Sequence, residues 1–267
     1  GEIISSGNSI TFSFSSDYAT TETGWVAYWS SIGGTCETQA PETTIEPVNE
    51  AKSDDFTVTF TDTDVNNVGL KEQFYMVEGF NGEEWTSNPA NGFISDSFDN
   101  ESLEGWTAID GDWDGQNGYL HQSNQGRSRA NVRHALNQEN DKTYLYKWRM
   151  KIHGTSSNIR AGIHIFNNDT NNCYYESSYY IEFRQARSEI RISKYVSSVE
   201  TVQIVEDFYM PRAKWFDCAV MYSPESGEIN VFYNGILAAT YTDPEPLTQG
   251  SCFYMRTGSS AVYFDDI

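Results

Sequence analysis

Residues 179–196 read Tyr-Tyr-Ile-Glu-Phe-Arg-Gln-Ala-Arg-Ser-Glu-Ile-Arg-Ile-Ser-Lys-Tyr-Val. Apolar and polar side chains alternate on both sides of a polar break at 185–188. Alternation with period two places successive side chains on opposite faces of a strand, so this stretch predicts an antiparallel hairpin. Pairing Phe183 with Ile190 and Ile181 with Ile192 puts the apolar residues on one face. The other face then pairs Arg184 with Glu189 and Glu182 with Arg191. Both pairs are opposite in charge, which supports that register.

The same period recurs outward from the hairpin. Residues 144–152 and 160–166 alternate, with a polar loop carrying Cys173 after the second. Residues 216–222 and 229–233 flank a turn at Ser223-Pro224-Glu225-Ser226-Gly227. Asn234-Gly235 is a two-residue turn signal leading into 236–241. No long helical period occurs. The chain is therefore expected to be all-β, built of tandem β-sandwiches.

Charge and composition bound the function. The 267 residues include 38 acids and 17 Lys or Arg, for a formal charge of −21. That balance opposes a phosphate-backbone partner, which needs a positive footprint, and an anionic membrane surface. No apolar run reaches the roughly 20 residues of a membrane span. Residues 1–93 carry only two bases, Lys52 and Lys71, against 15 acids. The texture changes near Asn91-Gly92-Phe93, and 33–43 reads as a linker. The expected modules are 1–36, 37–93 and 94–267. The four cysteines (Cys36, Cys173, Cys218, Cys252) show no paired zinc spacing. Three disulfide connectivities are open to them, as is burial as thiols.

Three stretches resemble known modules. Ile10-Thr11-Phe12-Ser13-Phe14, Ser16-Asp17 and Gly24-Trp25-Val26-Ala27-Tyr28 are similar to the last third of a CUB domain. That resemblance implies a metal ligand at Asp17 and a chain cut from a longer protein. Asp62, Asp64, Gly69, Lys71, Phe74, Tyr75 and Val77 carry a second resemblance. It continues through Gly82, Glu84, Trp85, Asn88, Asn91, Gly92, Phe93, Asp96, Phe98 and Asp99. This stretch resembles linker modules of large secreted bacterial proteins of the golvesin-like or amidase-associated kind, which type IX secretion exports. A small immunoglobulin-like or fibronectin-like module is expected over 37–93. From Phe98-Asp99 through Trp113, Gly118-Tyr119-Leu120 and Asn234-Gly235 to the terminal Val262–Ile267, the order resembles a concanavalin A-like, laminin-G-type jelly roll. In such sandwiches a terminal Asp joins the first strand in a structural calcium site, which implies Asp99, Asp265 and Asp266.

Other acidic strings are weaker calcium candidates. Asp62-x-Asp64-x-Asn66 lacks the glycine and distal Glu of an EF-hand loop, and a solvated acidic turn accounts for it. Asp110-Gly111-Asp112-Trp113-Asp114-Gly115 has His121 at the twelfth position and reads better as two strands.

Catalytic signatures are missing. The E-x-D-x-E strand string of β-glucan-cleaving relatives of this fold does not occur. Neither does G-x-S-x-G or H-E-x-x-H, and the four histidines are dispersed. Glu182 and Glu189 form a tempting carboxylate pair, but the hairpin register gives each an arginine. A non-catalytic chain is expected. Tyr174, Tyr175, Tyr179 and Tyr180 cluster near Asn171 and Asn172, and Arg160 shares a strand face with His164. Rings that stack on sugars beside groups that bind hydroxyls make Arg160, His164, Tyr174, Tyr175 and Tyr179 the expected glycan-binding set. The function expected is glycan binding or surface adhesion by an accessory region of a secreted or cell-surface bacterial protein. Its partners would be a glycan or cell-surface protein, the rest of a longer chain and the secretion machinery. The alternatives are a stalk or cargo segment with no site, and an accessory module of a secreted hydrolase.

Overall fold

The computed structural model describes residues 42–45, 59–63, 74–80, 85–168 and 176–267. The CUB-like stretch with Asp17, and Asp64, Asn66, Cys36, Cys173, Tyr174 and Tyr175, lie outside the described residues. The chain divides into two compact units, 1–73 and 74–267, so residues 74–93 group with the larger one. In the first unit, β1 (Glu42–Ile45) pairs antiparallel with β2 (Phe60–Thr63).

The larger unit holds a short hairpin and a sandwich. The hairpin strands are β3 (Glu78–Phe80) and β4 (Trp85–Ser87), which flank the Asn81-Gly82 turn signal. The sandwich strands follow in chain order. They are β5 (Trp106–Asp110), β6 (Trp113–Gly115), β7 (Leu120–Gln122), β8 (Ala130–Gln138), β9 (Tyr144–His153), β10 (Arg160–Asn167) and β11 (Ser177–Arg184). Then come β12 (Glu189–Val196), β13 (Val199–Asp207), β14 (Trp215–Ser223), β15 (Glu228–Tyr233), β16 (Ile236–Thr242), β17 (Gly250–Gly258) and β18 (Ala261–Asp265).

Two seven-stranded antiparallel sheets result. The first runs β13-β12-β11-β10-β17-β8-β5 and the second β16-β15-β14-β9-β18-β7-β6. The chain changes sheet seven times, at β5–β6, β7–β8, β8–β9, β9–β10, β13–β14, β16–β17 and β17–β18, which interleaves distant segments in a jelly roll. This is the all-β sandwich expected from the alternation. The two ends of the jelly roll are stitched together: Asp96 N donates to Ile267 O, and Ile267 N returns the bond to Asp96 O.

Local chemistry explains the registers. Arg184 pairs with Glu189 and Phe183 with Ile190, as the opposed charges required. Asn234 and Gly235 both adopt positive φ, at 48° and 78°, between the paired Tyr233 and Ile236. Two such residues make the mirror-image turn whose twist matches a hairpin. Alternation then fills the interior. Tyr146, Trp148, Met150 and Ile152 of β9 face Ile163, Ile165, Ile181, Phe183, Phe253 and Met255 of the first sheet, all buried. Tyr146 stacks on Phe253 at 5.9 Å, and Trp148 meets Phe183 edge-on at 6.1 Å. Burying each large side chain contributes roughly 1.5–3 kcal/mol, which makes this contact the main source of the sandwich's stability. Cys218 and Cys252 are buried free thiols.

Candidate ligand-binding faces

Each sheet turns one face inward and the other outward. The expected site residues map onto the first sheet. His164 and Tyr179 are both buried, but on opposite faces. Tyr179 follows the parity of Ile181 and Phe183 into the core, where its hydroxyl donates to Asp243. It is therefore a core residue and offers no surface to a sugar. Burial pushes Asp243 upward, but Lys194 and the Tyr179 hydroxyl more than offset this and hold it below the usual carboxylate range.

His164 faces away from the core. Register places it in a row across four strands, Arg133–Tyr254–His164–Tyr180. Its ring stacks on Tyr180 at 4.3 Å with 6° between planes. Nδ1 lies 3.0 Å from Ser178 Oγ, and Nε2 lies 3.3 Å from Arg256 Nη1. Arginine can only donate, so Nε2 accepts and the ring proton sits on Nδ1. Burial, then the Arg256 charge, pushes the His164 pKa well below its ordinary value. The ring is neutral and fully enclosed.

The next row down this face carries charge. Glu182 is buried and meets Arg191 Nη2 at 2.7 Å, Arg160 Nε at 2.9 Å and Arg184 Nε at 3.4 Å. Arg184 also holds Glu189 at 2.6 Å. Arg160, expected to bind hydroxyls, is thus spent on Glu182, Asn158 O and Ser128 O. Gly162 permits this layer, since a Cβ there would sit 1.9 Å from Ile181 O. Rather than an open cleft, this face is an interlocked polar layer.

The aspartates expected to hold calcium have another partner. Arg149 Nη1 lies 3.2 Å from Asp266 Oδ2 and 3.5 Å from Asp265 Oδ2, and its Nε lies 3.6 Å from Asp217 Oδ1. Asp99 accepts from Ser97 Oγ. A guanidinium therefore already supplies positive charge beside Asp265 and Asp266. Among the described residues, no group of three or more His, Cys, Asp or Glu is placed to hold a metal.

The outer face of the second sheet is partly exposed, with His121 buried within it. Register aligns Asp114, His121, Tyr263, Lys151 and Trp215 in one row across β6, β7, β18, β9 and β14. Neighbouring strands lie about 4.8 Å apart, so the row is about 19 Å long. His121 stacks on Tyr263 at 4.3 Å. Tyr119, from the turn before β7, packs on Trp215 at 5.0 Å and on Tyr263 at 6.1 Å. Lys151 Nζ sits 5.0 Å from the Trp215 centroid and 4.7 Å from that of Tyr263. Tyr119, Trp215, Tyr263 and Lys151 are all half-buried, and Asp114 is exposed. Burial, then the Lys151 charge, lowers the pKa of the adjacent His153. Apart from the weak calcium string that includes Asp114, the sequence alone points to none of these residues as a site. The available signal was parity: Trp215 precedes the core residue Phe216, so it must point outward.

No protein-family model matches the sequence, and none of the curated proteins does. Solved structures do resemble the fold. A carbohydrate-binding module, CBM66 from Bacillus subtilis, superposes with a TM-score of 0.51 at 12% identity, covering 61% of this chain and 92% of its own. A β-glucanase from Bacillus licheniformis gives 0.49 at 14% identity, covering 64% and 94%. A lichenase from a mouse hindgut metagenome gives 0.45 at 14%, covering 65% and 99%. At 12% identity the likeness to the carbohydrate-binding module shows the fold alone, and one fold hosts unrelated activities.

Proposed function

We propose that this chain is a non-catalytic glycan-binding region of a secreted or cell-surface multidomain protein, and that its sugar contact is the outer row of the second sheet. The observation that carries the reading is the half-exposed set of Tyr119, Trp215 and Tyr263, held rigid by mutual packing. Aromatic rings with one face packed and one edge wet suit ligands that are apolar on one side and hydroxylated on the other. Asp114, Asp217 and His153 flank the rings as hydrogen-bonding groups. The fold shared with a carbohydrate-binding module agrees with this use.

The non-catalytic part rests on the carboxylates. Glycoside hydrolysis needs two carboxyl groups that flank the bond, one to donate a proton. Glu182 and Glu189, the pair that the sequence offers, are each held by arginines. The alternative is a stalk with no ligand, which the sealed outer layer of the first sheet favours.

A glycan array probed with the full chain separates the two. Binding should appear, and Trp215→Ala and Tyr263→Ala should each weaken it about tenfold or more, as truncation of a central aromatic anchor does. Their melting temperatures should change little. A blank array from folded protein, or binding indifferent to both substitutions, would overturn this assignment.

A further inference from the structure

We infer that the outer row of the second sheet takes an acidic sugar, one bearing a single carboxylate that pairs with Lys151. The inference rests on the glycan-binding reading and names the ligand class of the same site.

The argument starts from charge accounting on this face. Arg149, one row along, already faces three carboxylates, Asp217, Asp265 and Asp266. Lys151 has no carboxylate within ion-pair distance among the described residues. Its described charge contacts are the rings of Trp215 and Tyr263. What sets Lys151 apart is that its ammonium rests against two aromatic rings rather than against a carboxylate.

Chemistry narrows the ligand further. An ammonium has three donors, and ring faces are acceptors for only part of them. The rings also fix the ammonium between two faces, so little freedom is lost when an anion arrives. Register puts Lys151 between Tyr263 and Trp215, so a sugar stacked on either ring lies next to it. His153 is held neutral beside it and does not compete for the anion. Asp114 and Asp217 are exposed near the ends of the row. They accept bonds from hydroxyls and repel further negative charge. The face therefore suits an isolated carboxylate on a hydroxylated ring and disfavours a polysulfated chain.

The test compares uronate oligosaccharides with their neutral hexose counterparts, titrated calorimetrically into the full chain. Wild type should bind the uronate about tenfold or more tightly, the value of a charge-assisted contact. Rising salt should erode that preference. Lys151→Met keeps the apolar stem on the rings and should abolish the preference, with neutral-sugar affinity held within about twofold. Trp215→Ala should weaken both ligands. If wild type binds neutral sugars as well as uronates, or Lys151→Met leaves the preference intact, the acidic-sugar assignment fails while glycan binding stands. If neither class binds, both fall.

Discussion

Arg191 lies 2.7 Å from Glu182 across the β11–β12 register, on the sheet face that looks away from the core. Arg160 and Arg184 close on the same carboxylate from its other sides. Removing one partner of a buried ion pair costs about 3–5 kcal/mol when the other is left uncompensated. Without Glu182, Arg160 keeps only carbonyls, while Arg184 keeps Glu189 and Arg191 keeps Glu200. Glu182→Gln removes the shared anion from among three cations and should cost that much, read as a fall in urea midpoint with unchanged slope. A loss below about 1 kcal/mol would mean that solvent screens the cluster and the layer is not sealed.

The His164 ring makes stability depend on pH in a defined direction. Its folded pKa lies well below the ordinary histidine value, so the folded state stays neutral while the unfolded chain takes up a proton below about pH 6.5. The unfolded state then binds more protons, and stability falls as pH drops. His153 is depressed as well and adds a smaller contribution of the same sign. His164→Phe keeps the stack on Tyr180 but cannot titrate. Between about pH 6.5 and 5, it should flatten the stability slope by up to one proton, about 1.4 kcal/mol per pH unit. Equal slopes would show that His164 protonates in place.

These two groups also mark how far sequence reading reaches. Opposed charges across a short hairpin are local information, so the Glu182–Arg191 pairing is legible in the amino-acid order alone. So is the Asn234-Gly235 turn. Parity also puts Arg160 and His164 on one face. What parity could not show is that this face is interlocked, because the layer gathers β8, β10, β11, β12 and β17. The open row is harder still. Asp114 and His121 are local partners on β6 and β7, but Tyr263, Lys151 and Trp215 come from strands far apart in the chain, and only the jelly-roll crossings bring them beside that pair. Tyr179 obeys a simpler rule. Its tyrosine-rich surroundings suggested a surface cluster, whereas the parity of Ile181 and Phe183 already sent it inward.

Two glycines in turns separate backbone cost from crowding. Gly235 has φ 78°, and a Cβ there meets nothing within 4 Å. Gly235→Ala should therefore cost only the conformational penalty, about 1 kcal/mol. Gly227 has φ 72°, but a Cβ would lie 2.2 Å from Asp243 O. Gly227→Ala must also displace Asp243, whose carboxylate holds the Tyr179 hydroxyl and Lys194. Its cost should be at least about twice that of Gly235→Ala in paired urea titrations. Equal costs would show that the β14–β15 turn relaxes freely and that Asp243 is not a fixed anchor.

Arg149 is expected to do for this sandwich what a bound cation would otherwise do. It faces Asp265, Asp266 and Asp217, and Asp265 is raised above its ordinary range by burial, then by Asp266, with Asp99 adding to it. Wild type should therefore melt at the same temperature in millimolar calcium and in chelator. Arg149→Met leaves the carboxylates facing one another. Arg149 is partly exposed, so the cost at neutral pH should be no more than about 1 kcal/mol. The sign with pH follows from the raised pKa: protonated Asp265 is favoured in the folded state, and that contribution is lost as pH rises. The Arg149→Met deficit should accordingly shrink in acid, where Asp265 is neutral, and calcium should recover part of it at neutral pH, since hard cations take carboxylate oxygens. A calcium-dependent rise in the wild-type melting temperature would reverse the assignment and make these aspartates metal ligands after all.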